Sequence, residues 1–121
     1  MKFVFDNNIP IYIQLVEQLK KHIISGTLPP GSRLPSVREL AALTKVNPNT
    51  MQKALTNLEE LKLIYTERTN GKFVTNDTRL LDKYKEKYAY ELLKEYFNNM
   101  QSIGFNKKAA IKYINDMEEN K

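Results

Sequence analysis

The sequence predicts a mainly α-helical fold with one small β-hairpin. Two short segments with helical apolar spacing are joined by a turn of about four residues that ends near Asn47. Two runs of strand-forming residues flank the pair Asn70-Gly71, which is typical of a hairpin turn. A longer helical pattern with a broad apolar stripe begins at Thr78. Together these observations predict a helix-turn-helix with a hairpin beside it, followed by two C-terminal helices.

Composition limits the function. The chain has 121 residues, enough for one well-buried domain with an extension, and it has no cysteine. Disulfides and cysteine-based sites are therefore excluded, and a cytoplasmic location is expected. No apolar run approaches the roughly 18 residues that a membrane span needs, and no signal peptide is recognisable, so no membrane partner is expected. The net charge of +5 favours a polyanionic partner only weakly.

The first helix is expected to begin at Pro10, whose missing N–H costs nothing at the first helical position. Apolar residues then recur every three or four positions from Tyr12 to Ile23, which predicts one buried face. Gly26 is expected to end this helix. His22 is the single histidine, and with no second histidine or cysteine beside it a surface role is favoured over a metal ligand.

A second, short helix is expected to begin at Ser36. Ser36 and Glu39 form the S-x-x-E pattern of a capping box, in which each side chain accepts a hydrogen bond from the other residue's backbone N–H. After the turn, Asn47 is expected to cap a third helix, with Pro48 at its first position.

The third helix is expected to present a polar face. Amide side chains can pair with the edge of adenine in the major groove, and lysine can contact guanine or phosphate, so this face is a candidate for reading DNA. An ordinary solvated helix face has the same composition, and that alternative stays open. At 100° per residue, the buried side comprises Met51, Ala54, Leu55 and Leu58, and the polar side comprises Asn49, Gln52, Lys53 and Thr56.

A β-hairpin is expected directly after the third helix. Residues 63–67 and 73–75 are rich in strand formers, and a two-residue turn is predicted at Asn70-Gly71. A hairpin in this position is a wing. Arg68 and Lys72 near its tip are candidates to contact phosphate or the minor groove, although charged tips also serve solubility alone.

The C-terminal part is expected to dimerise. A helix of about 23 residues from Thr78 would span about 35 Å, and Gly104 and Asn106 are expected to end it and to cap a last helix. A broad aromatic stripe on such a helix needs a partner, and a second copy in a two-fold dimer supplies one. Packing within the single chain is the alternative. The candidate dimer interface comprises Leu81, Tyr84, Tyr88, Leu92 and Tyr96.

No catalytic constellation is recognisable. The chain has no cysteine, one isolated histidine, no P-loop and no dinucleotide-binding glycine pattern. The neighbouring carboxylates Glu59 and Glu60 diverge by about 100° on a helix, so they are interpreted as surface charge. We therefore expect no enzyme activity, no catalytic residues, no metal and no cofactor.

Three motifs resemble those of a known family. They are PIYIQL at Pro10–Leu15, ISGTLPPGSRLPSVRELA at Ile24–Ala41 and VNPNTMQKALTNLE at Val46–Glu59. Their combination and spacing resemble the winged helix-turn-helix domain of the GntR family of bacterial transcription regulators. The short remainder resembles the YtrA-type subfamily, whose C-terminal part dimerises. The resemblance implies an N-terminal winged helix-turn-helix DNA-binding domain over residues 1–76 and a two-helix dimerisation segment over residues 77–121.

The resemblance also implies a function. The expected protein is a sequence-specific transcription regulator, a homodimeric repressor that binds an inverted-repeat operator in double-stranded promoter DNA. An activator or an effector-free architectural binder is the alternative within the same class, and an unidentified small-molecule effector is a candidate partner. Specificity is expected to rest on asparagine and glutamine, because this recognition helix has no arginine. The expected DNA-binding residues are Arg33, Ser36, Arg38, Asn47, Asn49, Thr50, Gln52, Lys53, Arg68, Gly71 and Lys72.

Two points stay open. The wing reads Thr69-Asn70-Gly71-Lys72-Phe73-Val74 where the family has G-x-G-T-F-V, so the resemblance does not assign the contact made by Lys72. A function of another class is a winged-helix module that binds protein and does not read DNA. Such a module would bury the face of Asn49, Gln52 and Lys53 against a partner chain.

Overall fold

The computed structural model describes residues 1–119 and contains five α-helices and one antiparallel hairpin in that range. The predicted fold class, mainly α with a small β-hairpin, is confirmed. None of the helices in the described range is long and apolar enough to cross a membrane. The elements are α1 (Ile11–Ile24), α2 (Val37–Thr44), α3 (Pro48–Glu60), β1 (Ile64–Glu67), β2 (Gly71–Val74), α4 (Thr78–Ser102) and α5 (Lys107–Glu119).

The chain divides into two compact units, Met1–Tyr84 and a second that begins at Lys85. The sequence-based boundary lies earlier, after residue 76. The packing places it later because Leu81 and Tyr84, from the first turns of α4, pack with the core of the first unit. That core joins α1, α2, α3 and the hairpin, and its largest fully buried side chains are Leu15, Leu19, Ile23, Leu40, Met51, Leu55, Leu58, Leu63, Ile64 and Val74.

Helix α1 begins one residue later than predicted, because Pro10 is the N-cap with an extended ψ of 131°. The proline side chain cannot cap the helix by a hydrogen bond. The Gln14 side chain instead binds the backbone of the residues that precede the helix. The Gln14 amide donates to the carbonyls of Asp6 at 2.7 Å and Ile9 at 2.8 Å, and its oxygen accepts the Asp6 N–H at 2.7 Å. At the other end Gly26 adopts a φ of 85°, and the helix ends there as predicted.

The N-terminal segment is held along α1, which the sequence did not predict. The Gln18 amide pairs with the backbone of Val4 in both directions, accepting its N–H at 2.9 Å and donating to its carbonyl at 2.6 Å. His22 Nε2 lies 2.7 Å from the carbonyl of Lys2, and its ring contacts Phe3 with centroids 5.0 Å apart. The histidine thus anchors the start of the chain.

The hairpin differs from the predicted one in its turn. Glu67 pairs with Gly71, which leaves a three-residue loop, 68–70, closed by a 3.2 Å bond from the Asn70 N–H to the Glu67 carbonyl. The prediction of a two-residue turn at Asn70-Gly71 was therefore wrong. Such a turn of the common type needs positive φ at both residues, and only Gly71, at φ 98°, has it. The glycine instead follows a tight turn and starts β2.

Helix α4 ends and α5 begins as predicted, and α4 also has an N-terminal cap that the sequence analysis did not predict. Asp77 Oδ1 accepts the Leu80 N–H at 3.1 Å at the start of α4, which runs for 25 residues, slightly longer than predicted. Gly104 follows its end at a φ of 98°, and Asn106 Oδ1 accepts the Ala109 N–H at 2.9 Å at the start of α5. Within the second unit, the Tyr96 hydroxyl donates to the carbonyl of Ala110 at 2.7 Å and ties the two helices together.

Candidate nucleic-acid interface

The start of α2 is a complete capping box, as predicted. The Ser36 hydroxyl accepts the Glu39 N–H at 3.1 Å, and the Glu39 carboxylate accepts the Ser36 N–H at 3.2 Å. The bond from the Ser36 N–H, then the Ser36 side chain and the charge of Arg33, hold the pKa of Glu39 below its usual value. Ser36 keeps a hydroxyl proton to donate outward. Arg38 lies exposed two residues further on.

The turn between α2 and α3 sets the start of the predicted reading helix. Lys45 adopts the left-handed conformation, at φ 58° and ψ 33°, and ends α2. Asn47 then caps α3 by accepting the Asn49 N–H at 2.8 Å, with Pro48 in the first turn. Both capping predictions for this helix are confirmed.

Helix α3 has the predicted two faces. Met51, Ala54, Leu55 and Leu58 are fully buried, whereas Asn49, Gln52, Lys53 and Thr56 are exposed and Thr50 is half-buried. Gln52 makes only a long bond to the Thr56 hydroxyl, at 3.4 Å, so its amide is nearly free to bind a ligand. Lys53 is more engaged, because its ammonium lies 5.4 Å from the centre of the Tyr12 ring.

Arg33 belongs to the wing, which the sequence did not show. Residues 32–34 lie along the outer edge of β2, with the Leu34 N–H donating to the Lys72 carbonyl at 2.8 Å and the Val74 N–H donating to the Ser32 carbonyl at 2.9 Å. The Arg33 guanidinium covers Gly71 so closely that a Cβ there would lie 3.3 Å from its Nε. The exposed arginine and the glycine therefore form one part of the wing surface.

Lys72, from which a DNA contact of the wing was expected, binds two residues of its own chain. Its ammonium donates to the Thr66 hydroxyl at 2.9 Å and lies 3.7 Å from the Glu59 carboxylate, and its side chain is only 18% exposed. Thr66 in turn donates to Glu59 at 2.7 Å. That bond from Thr66, followed by the charge of Lys72, lowers the pKa of Glu59. Arg68 in the hairpin loop is exposed.

Sequence reasoning missed Glu59 and Thr66 for a definite reason. A two-residue loop at Asn70-Gly71 would have placed Thr69 opposite Lys72, whereas the observed register pairs Thr66 with Lys72. A three-residue loop over residues 68–70 gives the observed register and would have revealed the cross-strand pair.

The expected dimer residues divide between core and surface. Leu81 is only 6% exposed and belongs to the core of the first unit, so it cannot contribute to the expected interface. Tyr84 packs partly against the same core, and Tyr88 and Tyr96 are half-buried. Leu92 is 64% exposed. Other exposed large apolar side chains of the second unit are Tyr90, Leu93, Ile103, Ile111, Tyr113, Ile114 and Met117.

Comparison with known proteins identifies the family. Residues 11–74, from α1 to the end of β2, match the model of bacterial regulatory proteins of the gntR family. The chain belongs to the GntR family. The match covers every element that carries the candidate DNA-binding residues.

Similar curated proteins extend the match. The chain is 35% identical over 115 residues to the HTH-type transcriptional regulator YhcF of Bacillus subtilis, covering 95% of each protein. It is 40% identical over 73 residues to the HTH-type transcriptional repressor YtrA of the same organism, covering 60% of this chain and 56% of YtrA. The predicted GntR family and YtrA-type subfamily are confirmed.

Two solved structures are informative. A GntR family transcriptional regulator from Listeria monocytogenes matches with a TM-score of 0.84 and 38% identity, over 93% of this chain and 98% of that one. The DNA-binding domain of AraR, solved in complex with operator ORX1, matches with a TM-score of 0.56 and 26% identity, over 62% of this chain and 96% of that one. This GntR protein is thus a DNA-binding transcription regulator and not an enzyme, as the sequence predicted.

Proposed function

We propose that this GntR protein is a cytoplasmic, homodimeric repressor that binds an inverted-repeat operator. The observation that carries the proposal is the exposed polar face of α3, whose amide and ammonium groups lie opposite a fully buried side. An exposed row of hydrogen-bonding groups on a rigid, capped helix matches what reading of base edges requires. Asn49, Thr50, Gln52 and Lys53 are the proposed reading residues.

Two flanking surfaces would position this helix on the phosphate backbone. The start of α2 offers the Ser36 hydroxyl and the exposed Arg38, and the cap of α3 offers the amide of Asn47. The wing offers Arg33, which covers Gly71, and Arg68 in its loop. Hydrogen bonds to phosphate fix register and orientation, while base contacts provide specificity. Arginine on a wing can reach either phosphate or the minor groove.

The proposed dimer uses the second unit. Leu92 and Ile103 of this unit are 64% and 69% exposed, and Met117 of α5 is 73% exposed. Exposed apolar side chains in this number are a sign of an interaction surface, and a two-fold pair covers the same surface on both chains. The name of the YtrA relative supports repression as the outcome of binding. An unidentified small-molecule effector stays a prediction from the family resemblance.

The decisive experiment is selection of binding sites from random DNA with the full-length protein, followed by fluorescence anisotropy. The selected site should be an inverted repeat with half-sites about 34 Å apart, bound at least ~10³-fold more tightly than scrambled DNA. Binding should weaken steeply with salt, because each neutralised phosphate contributes about −0.9 to the slope of log K against log[salt]. In vitro transcription from a promoter that carries the site should decrease.

Each part can fail separately. Equal affinity for all sequences would contradict specific reading, and it would favour the protein-interaction module if binding were also insensitive to salt. A selected site without two-fold symmetry would contradict the dimer on an inverted repeat. Increased transcription would exclude repression at that promoter.

A further inference from the structure

We propose that Glu59, Thr66 and Lys72 form a clamp that fixes the wing to the end of α3, and that Lys72 positions the wing without binding DNA. The proposal rests on the proposed function, in which α3 and the wing bind DNA together. The three residues, named here the wing clamp, come from three elements, α3, β1 and β2. The hydrogen bond from Thr66 to Glu59 and the ion pair between Lys72 and Glu59 link the hairpin to α3.

The geometry of the clamp is continuous. Thr66 and Lys72 are direct cross-strand partners, so their side chains project from the same face of the hairpin. The Thr66 hydroxyl accepts from the Lys72 ammonium at 2.9 Å and donates its proton to the Glu59 carboxylate at 2.7 Å. The hydroxyl therefore bridges the two charged groups, and both of its bonds are of the stronger, charge-assisted kind.

The base of the hairpin is fixed by Ile64 and Val74, which are buried in the core, whereas its outer part from Thr66 to Lys72 has exposed or half-buried side chains. A two-stranded hairpin is marginally stable by itself in water. On one side, residues 32–34 pair with β2, but no strand in the described part of the chain pairs with the other edge of β1. The wing clamp provides the polar connection from the hairpin to the helix that reads the DNA.

The clamp also removes Lys72 from the set of free cations. Its ammonium lies 3.7 Å from Glu59, whose negative charge offsets its own, and its side chain is 18% exposed. A phosphate bound by Lys72 would lie beside the Glu59 carboxylate, and the repulsion between the two anions disfavours that contact. Arg33 and Arg68 are exposed, and a wing held in one orientation presents them with less ordering on binding.

The first test uses the protein without DNA, so it does not depend on the proposed function. Thr66→Val removes the bridging hydroxyl, keeps the shape and charge, and suits a strand. Hydrogen exchange of the β1 and β2 amides should become at least ~10-fold faster, because the substitution removes both hydrogen bonds of the hydroxyl. Thr66→Ser, which keeps the hydroxyl, should behave like the natural protein. Thr69→Val in the exposed hairpin loop is the matched control and should leave exchange unchanged. Unchanged exchange in Thr66→Val would overturn the clamp.

The second test separates positioning from DNA contact. Lys72→Met should weaken operator binding while the slope of log K against log[salt] stays that of the natural protein. Arg68→Met, which removes a proposed phosphate contact, should reduce that slope by about 0.9 for each phosphate it neutralises. The same reduction in Lys72→Met would overturn the proposal and make Lys72 a phosphate ligand. Absence of specific binding by the natural protein would overturn the proposed function, whereas faster exchange in Thr66→Val would still support the clamp.

Discussion

Gln52→Ala tests whether the exposed face of α3 reads bases. In the free protein Gln52 is exposed, and its amide donates a 3.4 Å bond to the Thr56 hydroxyl. Such a distance is at the outer limit for a hydrogen bond, so its loss costs little. Alanine is also a good helix former. The free energy of unfolding should therefore change by less than about 0.5 kcal/mol, the usual range for surface substitutions.

The effect on binding should be much larger. A glutamine that pairs with the N6 and N7 edge of adenine contributes about 1 to 3 kcal/mol of discrimination. A two-fold dimer carries the substitution in both half-sites, so the loss doubles to about 2 to 6 kcal/mol. At 1.4 kcal/mol for each factor of ten, this corresponds to an affinity at least ~30-fold weaker.

Fluorescence anisotropy on the selected operator and on scrambled DNA of equal length measures this loss. Gln52→Ala should weaken binding to the operator only, and the salt dependence should not change because glutamine carries no charge. Arg38→Ala is the matched control. If Arg38 contacts phosphate, Arg38→Ala should weaken binding to both DNAs. It should also reduce the salt slope by about 0.9 for each phosphate that Arg38 neutralises.

Two results would refute the reasoning. A folded Gln52→Ala variant that binds the operator as tightly as the natural protein would show that this amide does not read a base. An equal loss on operator and scrambled DNA would show that Gln52 contacts the DNA backbone.

Four further predictions concern stability and assembly. Ser36→Ala removes the α2 cap and should lower the free energy of unfolding by about 1 kcal/mol in thermal denaturation. The carboxylate half of the same capping box should depend on pH: because the Ser36 N–H is the main cause that holds the pKa of Glu39 below its ordinary 4.5, the stabilisation by this carboxylate should be full above that pH and lost as pH falls through the lowered pKa. A stability difference between the natural protein and Glu39→Gln that is constant from pH 7 to pH 3 would contradict this. Gly71→Ala should cost about 1 to 2 kcal/mol, because φ is 98° and Arg33 leaves little room, and an unchanged melting temperature would refute it. Leu92→Glu should turn a dimer into a monomer in sedimentation velocity without lowering the helix content, and a variant that stays dimeric would exclude Leu92 from the interface.

The sequence predicted the parts of the fold that local chemistry determines. The capping box at Ser36, the Asn47 cap and the two faces of α3 depend on residues within one or two helical turns of each other, so spacing alone was sufficient. The same applies to Gly104, which follows the end of α4, and to Asn106, which caps α5.

The sequence did not predict features that depend on residues distant along the chain. Gln18 holds Val4 from 14 positions away, and Arg33 reaches the wing only because residues 32–34 pair with β2. Leu81 is the first residue of the apolar stripe of α4, and it packs in the core of the first unit. Periodicity does not distinguish such packing from a dimer surface. For Lys72 the error was one of hairpin register, because a shift in the loop changes every cross-strand partner.

The two departures of the wing from the family pattern have different consequences. Thr69 stands where the family has its first glycine, and it does not adopt a positive φ, so the backbone here does not require glycine at that position. Gly71 keeps the second glycine, where φ is 98° and Arg33 lies close. Lys72 replaces a threonine, and only a side chain of its length and charge can bridge to both Thr66 and Glu59. The first departure is conformationally neutral, whereas the second adds an ion pair between the wing and the reading helix that threonine could not form.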